Sequence, residues 1–185
     1  FGEDKIYFPQ MGESLGERMY MAIQTVLAGD YESCVLIGTD VPEIRRADFD
    51  YAFRLLDVHD VVLGPTVDGG YYLVGMKKPI KETFEKQTYS HASVLENTAQ
   101  AIKNAGYTVG FARTLHDMDE KEDIREFRNR MRKNPTLQKS ETGCYLLKKQ
   151  KISIIVPIYN EESTIETLQK QLLPLLNKCE ILLVD

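Results

Sequence analysis

Cys34-Val35-Leu36-Ile37-Gly38-Thr39-Asp40-Val41-Pro42 is the stretch on which the fold is decided: an apolar run that ends in an acid and a proline. Four apolar residues between Tyr31-Glu32-Ser33 and Gly38 predict a strand buried on both faces, at the centre of a parallel sheet covered by helices. Asp40 falls just past its carboxyl end, where open α/β sheets leave the crevice that binds ligands. A carboxylate there suits a divalent cation or a ribose hydroxyl. It equally suits a turn ahead of Pro42, and the sequence leaves both open.

Working outward, Ser14 and Glu17 form a capping-box pattern ahead of Leu15, Met19, Ala22, Ile23, Val26 and Leu27, which predicts a helix closed by Gly29. Residues 1–13 read as a short extended piece leading into a loop. On the other side, Phe49, Ala52, Phe53 and Leu56 mark a second helix, followed by a strand at Val61-Val62-Leu63. The order helix, strand, helix, strand gives the α/β class. Asp68-Gly69-Gly70 then interrupts before the strand Tyr71-Tyr72-Leu73-Val74. Paired glycines serve either the close approach of a ligand to the backbone or a tight hairpin turn.

Val94, Leu95, Thr98, Ala101, Ile102 and Ala105 predict another helix, ended by Gly106, and Tyr107–Phe111 a further strand leading to His116-Asp117-Met118-Asp119. Ile124, Phe127 and Met131 mark a helix that stops before Asn134-Pro135. Residues 134–150 are polar and aperiodic and read as a linker. A new start follows, with a strand at Ile152–Val156, a second capping box at Ser163 and Glu166, a helix face of Ile165, Leu168, Leu172 and Leu176, and a strand at Ile181–Val184. So short a segment does not bury enough surface to stand alone.

The 185 residues are enough for one full core, and 43% hydrophobic with 28% charged residues is the make-up of an ordinary globular protein. A net charge of -5, with no basic stripe, argues against a nucleic-acid partner. Cys34, Cys144 and Cys179 fit neither a metal-ligand spacing nor a disulfide framework, so a reduced, cytoplasmic setting is expected. No apolar run approaches a membrane span, and no signal peptide is visible.

Four blocks, in order, carry a family resemblance. They are Gln10-Met11-Gly12 with Leu15-Gly16-Glu17-Arg18-Met19; Ile37-Gly38-Thr39-Asp40-Val41-Pro42; Gly64-Pro65-Thr66-Val67-Asp68-Gly69-Gly70-Tyr71-Tyr72-Leu73-Val74-Gly75-Met76; and Asp117-Met118-Asp119-Glu120-Lys121-Glu122-Asp123-Ile124. Through them residues 1–133 resemble a glycosyltransferase family related to molybdenum-cofactor and phospholactate guanylyltransferases. The resemblance implies a three-layer α/β/α, Rossmann-like fold of the glycosyltransferase A (nucleotide-diphospho-sugar transferase) type, incomplete at the N-terminus, where the family's first strand and phosphate loop are expected. Residues 151–185 resemble the opening of a family-2 glycosyltransferase, through Ile155-Val156-Pro157-Ile158-Tyr159-Asn160-Glu161-Glu162 and Leu183-Val184-Asp185. The implied organisation is a transferase-like domain (1–133), a linker (134–150) and the start of a fused second glycosyltransferase (151–185).

Transfer from a nucleotide-activated donor needs its phosphate charge neutralised as the leaving group departs, and Mg2+ or Mn2+ on oxygen ligands supplies this. The resemblance implies Asp40 and Asp119 as the metal ligands, and Asp40 and Asp68 as catalytic residues. Around Asp119, Glu120-Lys121 replace the Thr-Pro of related sugar-activating enzymes, and a helix-start acid is the alternative. Asp68, Gly69 and Gly70, with Tyr71 beside them, are implied on the sugar or acceptor side. Gln10 and Gly12 resemble a base-reading loop, since an amide offers both donor and acceptor. Arg18 either reaches a phosphate or lies solvated on its helix. In the second segment, Pro157 and Glu161 are implied to cradle the nucleotide and Asp185 to contact base or ribose. His91 and His116 receive no catalytic role.

The expected function is a metal-dependent transferase with a nucleotide or nucleotide-sugar donor and an unspecified acceptor. A guanylyltransferase-like nucleotidyltransferase and a non-catalytic scaffold are the alternatives.

Overall fold

The computed structural model describes residues 6–148, 152–157, 167, 170–171 and 179–184. Its first helix starts where the capping box requires. The Ser14 hydroxyl accepts from the Glu17 N–H (3.2 Å), and the Glu17 carboxylate accepts from the N–H groups of Ser14 (3.4 Å) and Glu13 (2.9 Å). Helix α1 then runs Leu15–Leu27 and presents the fully buried Ile23 to the core.

Four strands make the main sheet: β1 (Cys34–Ile37), β2 (Val61–Pro65), β3 (Tyr71–Met76) and β4 (Val109–Phe111), in spatial order β1-β3-β2-β4. Strand β3 is antiparallel to both β1 and β2, and β4 is parallel to β2. Alternation along the strands divides the core. Val61, Leu63, Val74 and Met76 pack on one face with Ile23 of α1 and Ile102 of α3 (Val94–Asn104), while Val62 and Leu73 pack on the other with Ala52 and Leu56 of α2 (Arg46–Leu56). Each such aliphatic side chain contributes about 1.5–3 kcal/mol by leaving water. The sheet is therefore the middle of three layers, as the sequence implies.

The position of β1 corrects the sequence reading. Among the described strands it lies at an edge, bonded to β3 alone and antiparallel to it, and Ile37 is 37% exposed. The centre belongs to β2 and β3, whose residues from Val61 to Pro65 and from Tyr72 to Met76 are all buried. A four-residue apolar run fits one covered face as well as two. The short link from β2 to β3 admits only an antiparallel pair, so the sheet is mixed rather than parallel.

Helix α2 is anchored by a buried acid. Asp48, 7% exposed, accepts the Arg45 N–H (2.8 Å) and takes the Arg113 fork on both oxygens, Nε to Oδ1 at 2.9 Å and Nη2 to Oδ2 at 2.8 Å. Arg113 also donates to the Glu43 carbonyl (3.3 Å), while the Glu43 carboxylate accepts from Nε of Arg130 (2.7 Å) on α4 (Lys121–Lys133). The segment that follows Asp40 is thus tied to two distant elements.

Residues 134–150, read as a linker, are helical over two short stretches, α5 (Pro135–Gln138) and α6 (Glu141–Leu147). Phe127 and Met131 of α4 pack on Leu137, with Leu146 against them. Pro135 takes the first helical position, and Asn134 and Ser140 accept from the N–H groups of Thr136 and Gly143 (both 3.0 Å). Strands β5 (Ile152–Pro157) and β6 (Cys179–Val184) form a separate parallel pair, in register from Ile152↔Cys179 to Pro157↔Val184. The Ile165–Leu176 helix face, Glu161 and Asp185 lie outside the described residues.

Replacing Asp48 by Ala is expected to cost about 2 kcal/mol, read by urea denaturation, because the Arg113 fork and the helix cap lose their shared acceptor. The Arg113 guanidinium, chiefly, holds the Asp48 carboxyl below its ordinary value of 3.8. The stabilisation is therefore complete above that value and disappears as pH falls through the folded-state one, where wild type and variant converge.

Candidate functional site

The turn from β2 to β3 is built around Asp68. Thr66 N–H bonds the Gly70 carbonyl (3.0 Å) and Gly69 N–H the Thr66 carbonyl (3.2 Å), while one Asp68 oxygen accepts from the Thr66 hydroxyl (2.5 Å) and the Gly70 N–H (3.0 Å). Gly69 holds φ +96°, and a Cβ there would stand 2.0 Å from the Ala92 carbonyl oxygen. Only glycine fits. The pair is a hairpin turn, and the same turn walls a cavity of about 230 Å3.

Thr66, Asp68, Gly70 and Tyr71 line one side of that cavity, Asp117 and Asp119 another, with Leu15 and Met19 of α1 and the segment Tyr89–His91 completing it. A second cavity of about 130 Å3 lies behind, between Asp68, Asp117, His116, Asp123, Glu126 and Arg130. Asp68 and Asp117 stand in both linings.

The two carboxyls are driven apart electrostatically. Burial pushes Asp68 up, but bonds from the Thr66 hydroxyl, the Gly70 N–H and Asp117 outweigh it and hold it below the usual carboxylate range. Burial likewise pushes Asp117 up, and there the charges of Asp68, Asp119 and Asp40 add to the effect. Asp117 is therefore the weaker acid of the two, the one that holds its proton to the higher pH, and Asp68 the stronger.

Of the residues singled out in sequence, Asp68, Gly70, Tyr71 and Asp119 meet in this cavity. Asp40 does not line it: it is exposed, near enough for its charge to act on Asp117, with its carboxylate over Gly38, where a Cβ would lie 2.7 Å away. Gly69 sits beneath, its carbonyl accepting the Leu95 N–H (2.9 Å). Gln10 and Arg18 line a different cavity of about 280 Å3, between residues 8–11 and α1. Arg18 Nε holds the Gly12 carbonyl (3.1 Å), with Gly12 at φ +121°. Pro157 ends β5. His91 Nδ1 accepts the Ser93 N–H (3.2 Å), a local structural bond. Asp117 itself was passed over by sequence reasoning, although it stands two residues before Asp119.

The donors are all oxygens, which suits a hard divalent cation. Among the described residues no group of three or more His, Cys, Asp or Glu is arranged as a ready metal cage. Magnesium typically takes only one or two carboxylates and completes its shell with water and substrate phosphates, so it does not require a ready cage of protein ligands.

The family model described as "Uncharacterized protein conserved in bacteria (DUF2064)" matches residues 1–91. No curated protein matches the chain. The chain is similar to the crystal structure of a "putative nucleotide-diphospho-sugar transferase" from Desulfovibrio desulfuricans G20, with 31% identity and a TM-score of 0.68. The match covers 74% of this chain and 60% of that one, so the chain spans less than two thirds of that protein's length. The mixed sheet and its flanking helices are those of the nucleotide-diphospho-sugar transferase fold.

An acid whose folded-state pKa is raised binds more protons folded than unfolded, so its charge destabilises at neutral pH. Asp117→Asn is expected to raise the Tm of the metal-free protein, with a gain that shrinks as pH falls through the raised Asp117 value. A Tm that is lowered or unmoved at neutral pH would contradict this electrostatic picture.

Proposed function

We propose that this chain is part of a metal-dependent transferase that uses a nucleotide-activated sugar donor. The observation that carries the reading is the gathering of Asp40, Asp68, Asp117 and Asp119 at one rim of a nucleotide-diphospho-sugar transferase sheet. Asp40 and Asp119 would hold the cation. When bound, Mg2+ or Mn2+ neutralises the donor diphosphate as it becomes the leaving group.

The remaining steps belong to the protein. Asp68, fixed by Thr66 and Gly70, presents a preorganised acceptor to donor or acceptor hydroxyls. Gly70 also leaves space, since a Cβ there would come within 2.9 Å of the Thr66 hydroxyl. Burial, with Tyr89 beside it, pushes the Tyr71 phenol up, so Tyr71 meets the site as a neutral hydroxyl. Leu15 and Met19 supply the apolar side.

Thermal shift with UDP, GDP and their hexose conjugates, with and without Mn2+, tests the reading. Nucleotide and metal together are expected to raise the Tm, by the amount that corresponds to about 2.7 kcal/mol at a hundredfold excess over Kd. Asp40→Ala is expected to fold normally and weaken that binding at least tenfold. Absence of a shift with every nucleotide favours a scaffold, and unchanged affinity in Asp40→Ala removes Asp40 from the metal site.

A further inference from the structure

A fourth concave region, of about 330 Å3, lies between the first turn of α1 and the segment 81–89 and shares one lining side chain with the acidic cavity. That side chain is Tyr89, which lines both. Its hydroxyl is buried near that of Tyr71, and neither makes a hydrogen bond of good geometry among the described residues. Gly16 allows this closeness, because a Cβ there would stand 3.0 Å from the Tyr89 hydroxyl and 2.8 Å from the Phe84 carbonyl oxygen.

The chemistry of the lining selects a ligand class. Tyr20 supplies aromatic surface, backed by the buried Phe84 ring 6.4 Å away and inclined by 60°. Around them stand Glu17, Lys86 and Gln87, with Lys81 bonded to Glu85 at 2.6 Å. Two carboxylates and two ammonium groups balance, so the lining selects for neither sign of charge, and the density of polar groups disfavours an apolar ligand. A sugar ring meets all of it: its C–H face packs on aromatic surface while its hydroxyls donate to carboxylates and accept from ammonium and amide. The volume, at the small end of ligand pockets, suits about one ring.

The loop that forms this wall is held in a costly shape. Lys86 (φ 57°) and Ser90 (φ 66°) are left-handed without being glycine, a strain of about 1 kcal/mol or more each that tends to gather at ligand-binding segments. They bracket Gln87 and Tyr89.

We propose that this region is the acceptor site, that it takes a carbohydrate, and that Tyr89 marks the passage from it to the acidic cavity. The acceptor role rests on the transferase reading. The carbohydrate chemistry of the pocket does not.

The test is a 1H–15N NMR titration of the full chain with methyl glycosides of glucose, galactose, mannose and N-acetylglucosamine at millimolar concentration. At least one is expected to shift the amides of Glu17, Gln87 and Tyr89 while leaving those of Asp117 and Asp119 in place. Tyr20→Ala and Gln87→Ala are expected to weaken that glycoside at least tenfold with Mn2+–nucleotide affinity unchanged; Gln87→Ala keeps the core intact should Tyr20→Ala fail to fold. Shifts confined to the acidic cavity, no shifts with the whole panel, or full affinity in Gln87→Ala would overturn the proposal. If glycosides shift these amides while no nucleotide binds, the carbohydrate pocket stands and the transferase reading, with the acceptor role, falls.

Discussion

The Asp48–Arg113 fork is the constraint from which the site takes its shape. A carboxylate so deeply buried is expensive unless its lone pairs are filled, and here the guanidinium and the Arg45 N–H fill them. Arg113 follows β4, Asp48 opens α2, and 65 residues separate them. The same guanidinium reaches the Glu43 carbonyl, and Arg130, 87 residues from Glu43, holds its carboxylate. Asp40 lies between these anchors and Gly38, whose N–H extends the ladder to the Tyr72 carbonyl (2.8 Å). A residue exposed on a loop is thereby placed by the core.

The acidic rim is maintained against its own repulsion. Asp68 is stabilised by its turn, whereas Asp117 carries the unfavourable share of the shared field. A fold selected for stability alone would not collect four carboxyls at one edge. Such local conflict is what a site whose charge is completed by a bound ligand would show, and it is the ground of the function proposed above.

What was legible in the sequence had local causes. Ser14 and Glu17 announce α1, and Asn134-Pro135 ends α4, because capping and proline geometry act within a few residues. The edge position of β1 was not legible, because strand order is decided by pairings across the chain. Nor were α5 and α6, too short to show a period, although Asn134, Pro135 and Ser140 were their visible caps. Asp48–Arg113 and Glu43–Arg130 were hidden by separation. Asp117 carries no local signal of its own, since its distinction, a half-buried place among like charges, exists only after folding.

Strand direction explains why aspartates so distant in sequence meet at all. Strand β3 is antiparallel to both β1 and β2, which makes β1 and β2 parallel to each other, and β4 runs with β2. Ile37 and Gly64 flank Leu73 at the same level, Leu63 faces Phe111, and a bridge from Thr66 to Leu115 carries the alignment onward. Each of these three strands then releases its chain at one rim, with Asp40 after β1, Asp68 after β2 and Asp117 and Asp119 after β4. Had β1 pointed the other way, Asp40 would stand at the opposite edge, a strand length of roughly 13 Å away for four residues. Convergence at the rim is thus a property of topology, and within that topology the Asp48–Arg113 fork fixes the segment that follows Asp40.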